Sequence, residues 1–535
     1  MKSLPGWIGG VMVLLFLLML PGLKAADTSF YTLQASSLFA GTGVDSSQAV
    51  AAGPGGSAYF AGTFIGSISG SSGSITSNNG GLVDVFLTKL LPDGSTAWLL
   101  RMGGTSTERA ECVAVDAVSG RVYVGGQFEG SAVFGSTNLT AVAASDGFIA
   151  CYEGDGTFVW VRQIGGTGQE SVMDIKVAAD GIHACGRYNS TAAWGETSFQ
   201  PASGSENMFL IRANADGVPQ AETYVVSSAS IQPERMVVQS SGQRIVAGKF
   251  SGLAFFPTMR NSNGSYDVFV AAYDSAGALQ WVITGGGSDF DEAISLVSST
   301  AGGYLLGMNV SEDSDGQGQI TDASGSQSLP LIADGMRLAR ISESGAYTSR
   351  LAVNGVLLGG LAESKRGVLQ VAANFSGDVN LGSTTVSPPD GQPSVFVASY
   401  LDSGELAGVA TVSSAGYTGL LDMVATSGDG LALAGLSTTS LKHNGQTLAT
   451  GHASLNAFTM LLAPPEMRLR ISHQSNQVRV TYPAYFYNAS LWESTTLNSG
   501  SWSMVSGASA MAVGEMLKDF SATEAKRFFH LRFVP

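Results

Sequence analysis

The chain reads as an all-β protein built from seven copies of one four-stranded unit set around a ring, and two observations predict this. An aromatic or apolar landmark follows a short polar lead-in at Phe86, Phe148, Phe209, Phe269, Met336, Phe396 and Phe458, at steps of 62, 61, 60, 67, 60 and 62 residues. A self-similar period of this length marks a repeat architecture. The composition agrees: 69 glycines and 44% hydrophobic but only 13% charged residues suit many short strands joined by tight turns. Four short strands per copy, repeated radially, describe the blade of a β-propeller.

The N-terminus comes first. Lys2 precedes an apolar run from Trp7 to Leu20, followed by Pro21, Gly22, Ala25 and Ala26. These are the n, h and c regions of a secretory signal, so residues 1–26 are expected to be removed. An uncleaved anchor is the alternative, because the run approaches spanning length and Lys24 follows it. No later segment is apolar for long enough to cross a bilayer.

Residues 27–463 form the predicted propeller. Residues 31–41, ending Ser37, Leu38, Phe39, Ala40 and Gly41, match the fourth-strand segment that ends Met102, Gly103 in the first repeat. The last repeat supplies only three strands, around 418–426, 430–436 and 455–462. The N-terminal strand is therefore expected to close the seventh blade and cover its edge.

The second repeat shows the elements most clearly. Residues 110–116 and 121–128 read as two strands separated by a Ser119-Gly120 turn. Gly126 recurs as Gly62, Gly186, Gly248, Gly307 and Gly435, with Ala373 in the sixth copy, which predicts close backbone approach. Phe148 to Tyr152 and Phe158 to Val161 flank Asp155-Gly156, a hairpin signal. Trp98, Trp160 and Trp281 each lie twelve residues after their landmark and read as packing between blades. Residues 464–535 break the period. There Met467, Leu469 and Ile471, then Val478, Val480 and Tyr482, alternate with polar residues and predict a small C-terminal β-sandwich module.

Gly103-Gly104-Thr105, Val122-Tyr123-Val124-Gly125-Gly126, Asp146-Gly147-Phe148 and Asp274-Ser275-Ala276-Gly277 before Trp281 resemble the bacterial secreted β-propeller repeat family, often labelled SBBP. The resemblance spans about residues 31–462 and is strongest in the first four repeats. It implies the fold and secretion; the family is defined by its repeat and not by an activity.

A net charge of −15 without a Lys/Arg cluster argues against nucleic acid as a partner. Three cysteines, Cys112, Cys151 and Cys185, stand at unmatched places in the repeat and read as small buried residues. Five scattered histidines show no metal-ligand spacing, and no Gly-x-Ser-x-Gly elbow precedes an Asp and a His. The linkers between blades place acids at Asp45, Glu108, Glu170, Glu234 and Asp291, on the face that also carries the longer insertions between second and third strands. Functionally these acids form a partial ring that attracts a cation or basic ligand; structurally each accepts amides of its own turn. Asp313 and Asp315 sit in a loop similar to a calcium loop but lacking the bidentate Glu, so calcium is the one ion considered and no other cofactor is expected. The expected function is a secreted or cell-surface, monomeric, non-catalytic module that binds a protein or glycan. The alternatives are a polysaccharide hydrolase or lyase, whose retaining form needs two acids about 5 to 5.5 Å apart, and a structural cell-envelope protein.

Overall fold

Period-2 strands separated by glycine turns leave the backbone one economical way to satisfy its hydrogen bonds, which is antiparallel pairing with the next strand in sequence. The computed structural model describes residues 31–78, 82–201, 206–311, 318–322, 325–328, 333–382, 384–464, 470–474, 477–483, 489–494, 503–505, 510–512, 515–521 and 528–533. The predicted signal peptide and the acidic loop with Asp313 and Asp315 lie outside the described residues. Within them the chain is all-β, interrupted by 3-10 turns at Pro54–Gly56 and Pro389–Gly391. No described helix is long and apolar enough to cross a membrane.

In the second repeat the strands Glu108–Val115, Val122–Phe128, Asp146–Tyr152 and Phe158–Gly166 pair in that order. The same four-strand order recurs over residues 46–104, 170–225, 230–286, 292–354 and 356–413. Thr418–Ala425, Leu431–His443 and Gln446–Ala463 then pair in succession, and the N-terminal strand Thr32–Gly41 adds to the last of them, with Leu38 opposite Phe458.

Consecutive units are joined in three ways. Apolar clusters fill the space between sheets: Val85, Leu87, Phe134 and Phe148 pack between the first and second units, and Ile149, Trp160, Phe209 and Ile211 between the second and third. Phe39, Phe64, Phe86 and Ala457 pack together between the last unit and the first. Next, the amide of each linker donates to the carbonyl of the residue before the preceding third strand. The bonds run Glu108 to Val83 (2.9 Å), Glu170 to Ser145 (3.0 Å), Ile231 to Glu206 (3.1 Å), Asp291 to Tyr266 (2.8 Å), Gly355 to Asp334 (2.8 Å), Thr418 to Pro393 (3.0 Å) and Asp45 to Leu455 (3.0 Å).

The third device was not legible as such in the sequence. In five of the seven units the insertion between second and third strands is a hairpin that pairs with the fourth strand of the preceding unit, whereas Leu253–Phe255 with Met259–Asn261 and Val379–Leu381 with Thr384–Val386 form separate two-stranded sheets. Ala132 and Val133 stand opposite Gly104 and Gly103, Ala192 and Ala193 opposite Gly166 and Gly165, and Ile320 opposite Gly285. His443 likewise faces Val412, and Ile68 faces Gly41 of the N-terminal strand. A Cβ on Gly104 would lie 1.8 Å from the Ser131 carbonyl oxygen, so the glycine is required by the approach of the hairpin.

The recurring glycine of the second strand has a related cause. Every first strand carries one register shift, as between Ala110 and Cys112 or Val172 and Asp174, and a bulge turns a carbonyl toward the partner strand. A Cβ at Gly62, Gly126, Gly186, Gly248 or Gly435 would lie 2.1, 1.9, 2.2, 2.0 or 2.2 Å from that oxygen. The fifth unit corrects the sequence alignment. There Met308, not Gly307, occupies the small position, and it faces Arg337, not Met336. Asp334 accepts the linker amide three residues before Arg337, as Tyr266 does three before Phe269. Arg337 thus stands where other units carry Phe, and the fully buried Met308 occupies the position that elsewhere must be small.

The tryptophans pack between units as expected. Trp98, Trp160 and Trp281 donate from Nε1 to the carbonyls of Gly154, Ala215 and Glu343, in the turns of the following units, at 3.3, 3.0 and 2.9 Å. Cys112, Cys151 and Cys185 are buried and unbridged. After residue 464 the described strands form two further antiparallel sheets. One orders Arg470–Gln474, Gln477–Pro483, Glu515–Ser521 and Ala510–Ala512, and the other places Ala489–Ser494 between Ser503–Met504 and Phe528–Phe533.

Two outcomes follow from this geometry. A chain beginning at Thr42 loses the strand paired with Gln446–Ala463, and its thermal unfolding should lose cooperativity; a transition identical to that of the parent would refute the role given to this strand. Gly126→Ala should lower stability by about 1–3 kcal/mol in denaturant titration, because its Cβ must displace the Arg109 carbonyl.

Candidate functional site

The linker acids occupy the start of a first strand, where the chain turns from one unit into the next. Asp45, Glu108, Glu170 and Asp291 are each at most 1% exposed, so their carboxyls point into the junctions between units. Asp45 Oδ1 accepts from the Ile65 amide at 3.2 Å, and Glu108 Oε2 from the Gly104 amide at 3.1 Å. Asp291 accepts from the amides of Gly287 (2.7 Å) and Ser311 (3.1 Å). Burial pushes Asp45 up to about 7 and Glu108 and Glu170 up to about 8, well above the ordinary carboxylate range. Such groups are enclosed within the junctions between units.

A second acid shares three of these junctions. Asp84, Asp146 and Asp267 begin third strands, are at most 1% exposed, and face Glu108, Glu170 and Asp291 respectively. Burial raises all three. The sequence held a signal for them, since each lies two residues before its landmark phenylalanine.

Glu234 belongs elsewhere. It lies inside its first strand, four residues after Ser230, the residue that begins that strand. Its Oε1 is 3.2 Å from Lys249 Nζ, which also bonds Glu292 Oε2 at 2.9 Å and lies 5.3 Å from the centre of the Phe290 ring. Arg187 and Glu206 pair nearby in sequence order at 3.0 Å. Arg235 of the fourth unit reaches Asp422 of the last unit at 3.8 Å, and Asp422 in turn accepts the Val50 amide at 2.9 Å. The sequence-predicted acids are therefore divided: four are sealed in separate junctions and Glu234 joins a charged network on the first strands.

Neighbouring residues of an extended chain point to opposite sides. Val44 and Phe290, before the buried Asp45 and Asp291, are 53% and 40% exposed, and Tyr417, before the buried Thr418, is 45% exposed, whereas Ser230 at the same place in the fourth unit is buried; Leu357 on the sixth first strand is also exposed. Tyr266 stands 5.4 Å from Phe290, ring centre to ring centre. Exposed aromatic rings beside paired charges can stack on sugar faces or anchor a protein surface. Among the described residues no group of three or more His, Cys, Asp and Glu side chains is arranged to hold a metal ion.

No protein-family profile and no curated protein matches the chain. Among solved structures it is similar to a protein from Lactobacillus plantarum, at 12% identity and a TM-score of 0.38, over 77% of this chain and 87% of that one. It is also similar to a puromycin hydrolase mutant in complex with PGG, at 10% identity and a TM-score of 0.39, over 83% of this chain and 59% of the hydrolase. A third is the extracellular domain of a one-component system from B. thetaiotaomicron, at 9% identity and a TM-score of 0.18, over 92% and 95% of the two chains.

The charged network yields a measurable expectation. Lys249→Met leaves Glu234 and Glu292 facing one another without their cation, and should cost about 1–2 kcal/mol in chemical denaturation, with the Glu234→Gln, Lys249→Met pair recovering part of it.

Proposed function

We propose that the chain is a secreted or cell-surface, non-catalytic binding module of the bacterial secreted β-propeller repeat type, and that it recognises a protein or glycan on the face that carries the linkers. On this reading its four-stranded units close as a seven-bladed propeller. Support for closure comes from the pairing of the N-terminal strand with Gln446–Ala463 and from the Asp45 amide, which makes with Leu455 the same bond that other linkers make with the unit before them. The repeat motifs quoted above support the family, and the signal-like N-terminus supports export.

The observation that carries the recognition face is the outward display of Phe290 and Tyr417 at one repeat position, set against the Glu234–Lys249–Glu292 network. A rigid scaffold that turns this position outward in several units, and fills it with different residues, is suited to recognition. On this reading the four buried linker acids, Asp45, Glu108, Glu170 and Asp291, support the display from within.

A glycan and surface-protein binding screen with the full chain should find saturable binding without turnover. Phe290→Ala and Tyr417→Ala should each weaken that binding about tenfold while leaving the melting temperature unchanged, the cost expected of a lost aromatic anchor. Turnover of a polysaccharide by the purified chain would instead favour a hydrolase or lyase.

A further inference from the structure

Three junctions, between the first and second, second and third, and fourth and fifth units, each enclose two carboxyl groups. The middle one is the barest. Asp146 and Glu170 are 0% and 1% exposed. Asp146 Oδ2 accepts from the Val142 amide at 3.1 Å and from the Gln163 side-chain amide, the Gly166 amide lies beside Glu170, and no side-chain donor reaches Asp146 Oδ1 or either oxygen of Glu170. No Lys, Arg or His among the described residues forms an ion pair with either acid.

The other two junctions carry partial compensation. Arg101 Nη1 lies 3.1 Å from Asp84 Oδ2, with Glu129 as a further acid near Glu108. Asp267 Oδ2 accepts the Asn263 amide at 3.0 Å, and Arg337 adds a more distant positive charge to Asp291. A Cβ on Gly286 would lie 2.5 Å from Asp291 Oδ2 and 2.8 Å from Asp267 Oδ1, so both oxygens border one small space. Two dry carboxylates at such range repel strongly when both are charged. A single proton between them removes the conflict with no other group, whereas calcium requires about six to eight oxygen ligands.

We propose that Asp146 with Glu170, and the pairs Asp84 with Glu108 and Asp267 with Asp291, each hold one shared proton that locks neighbouring units together, so that the ring tightens in mild acid and loosens above neutral pH. The direction follows from linkage. In the unfolded chain these acids release their protons near pH 4. In the folded chain burial, reinforced by the neighbouring acid, keeps Glu108 and Glu170 protonated up to about 8 and Asp267 up to about 7. The folded state therefore holds more protons across that window, and its stability falls as pH rises through it.

The test compares the full chain with Asp146→Asn, Glu170→Gln, neutral mimics of the protonated pair. Wild-type melting temperature should fall by about 5 °C or more from pH 5 to pH 9. The double variant should fall less and melt above wild type at pH 9, and it should lose part of the infrared signal of protonated carboxyl at pH 7. An unchanged pH slope, or no protonated-carboxyl signal in wild type at pH 7, would overturn the proposal. So would a calcium-dependent rise in wild-type melting at pH 9 that the variant lacks, since that result assigns the oxygens to a cation. Should the double variant fail to fold, Asp146→Asn serves alone, because Asn207 and Asn456 hold the same place in the third and last units.

Discussion

The bond from each linker amide to the carbonyl near the start of the preceding third strand, as from Glu108 to Val83, is the contact on which the other features rest. It recurs at every junction, between 2.8 and 3.1 Å, including the one that returns from Leu455 to Asp45. It fixes where a first strand begins relative to the preceding third strand. That in turn decides which linker side chain is buried and brings the end of the fourth strand, such as Gly103-Gly104, against both the incoming hairpin and the acid of its own third strand. Cβ atoms on these two glycines would meet the Asp84 carboxyl at 2.3 Å and the Ser131 carbonyl at 1.8 Å. A short glycine pair thus serves two contacts at once, one on each side of the strand.

The period, the strand order and the inter-unit tryptophans could be read from the sequence, because each depends on local alternation or on one large side chain. The second-strand glycine was legible as a close approach, though its cause, a bulged carbonyl in the first strand, needs the pairing register. The fifth unit was misread by one residue. Alignment by hydrophobicity selects Met336, whereas the ladder places Arg337 opposite Met308. A long polar side chain in a phenylalanine position, offset by a larger residue across from it, is invisible to a pattern that scores each position alone.

Glu234 was grouped with the linker acids because its distance from the landmark is similar, yet the equivalent place is Ile231, and a carboxyl three residues further along the strand faces different neighbours and finds Lys249. The hairpins were legible as extra strands but not as staples, since their partners lie on the preceding unit, a relation absent from any single repeat. The same holds for Asp84, Asp146 and Asp267. Each looks like an ordinary lead-in to its landmark until the next linker brings a second carboxyl beside it.

At Val44 with Asp45, Gln169 with Glu170 and Phe290 with Asp291, the linker residue is buried and its predecessor exposed, because neighbouring residues of an extended chain point to opposite sides. The linker places hold Asp45, Glu108, Glu170, Ile231, Asp291, Gly355 and Thr418, and the residues before them are Val44, Thr107, Gln169, Ser230, Phe290, Asn354 and Tyr417. Four of these places carry a buried carboxyl, whereas the positions before them vary in size and polarity. A substitution of the Phe290 side chain leaves the bonds from the Gly287 and Ser311 amides to Asp291 in place, because neither passes through the phenylalanine ring.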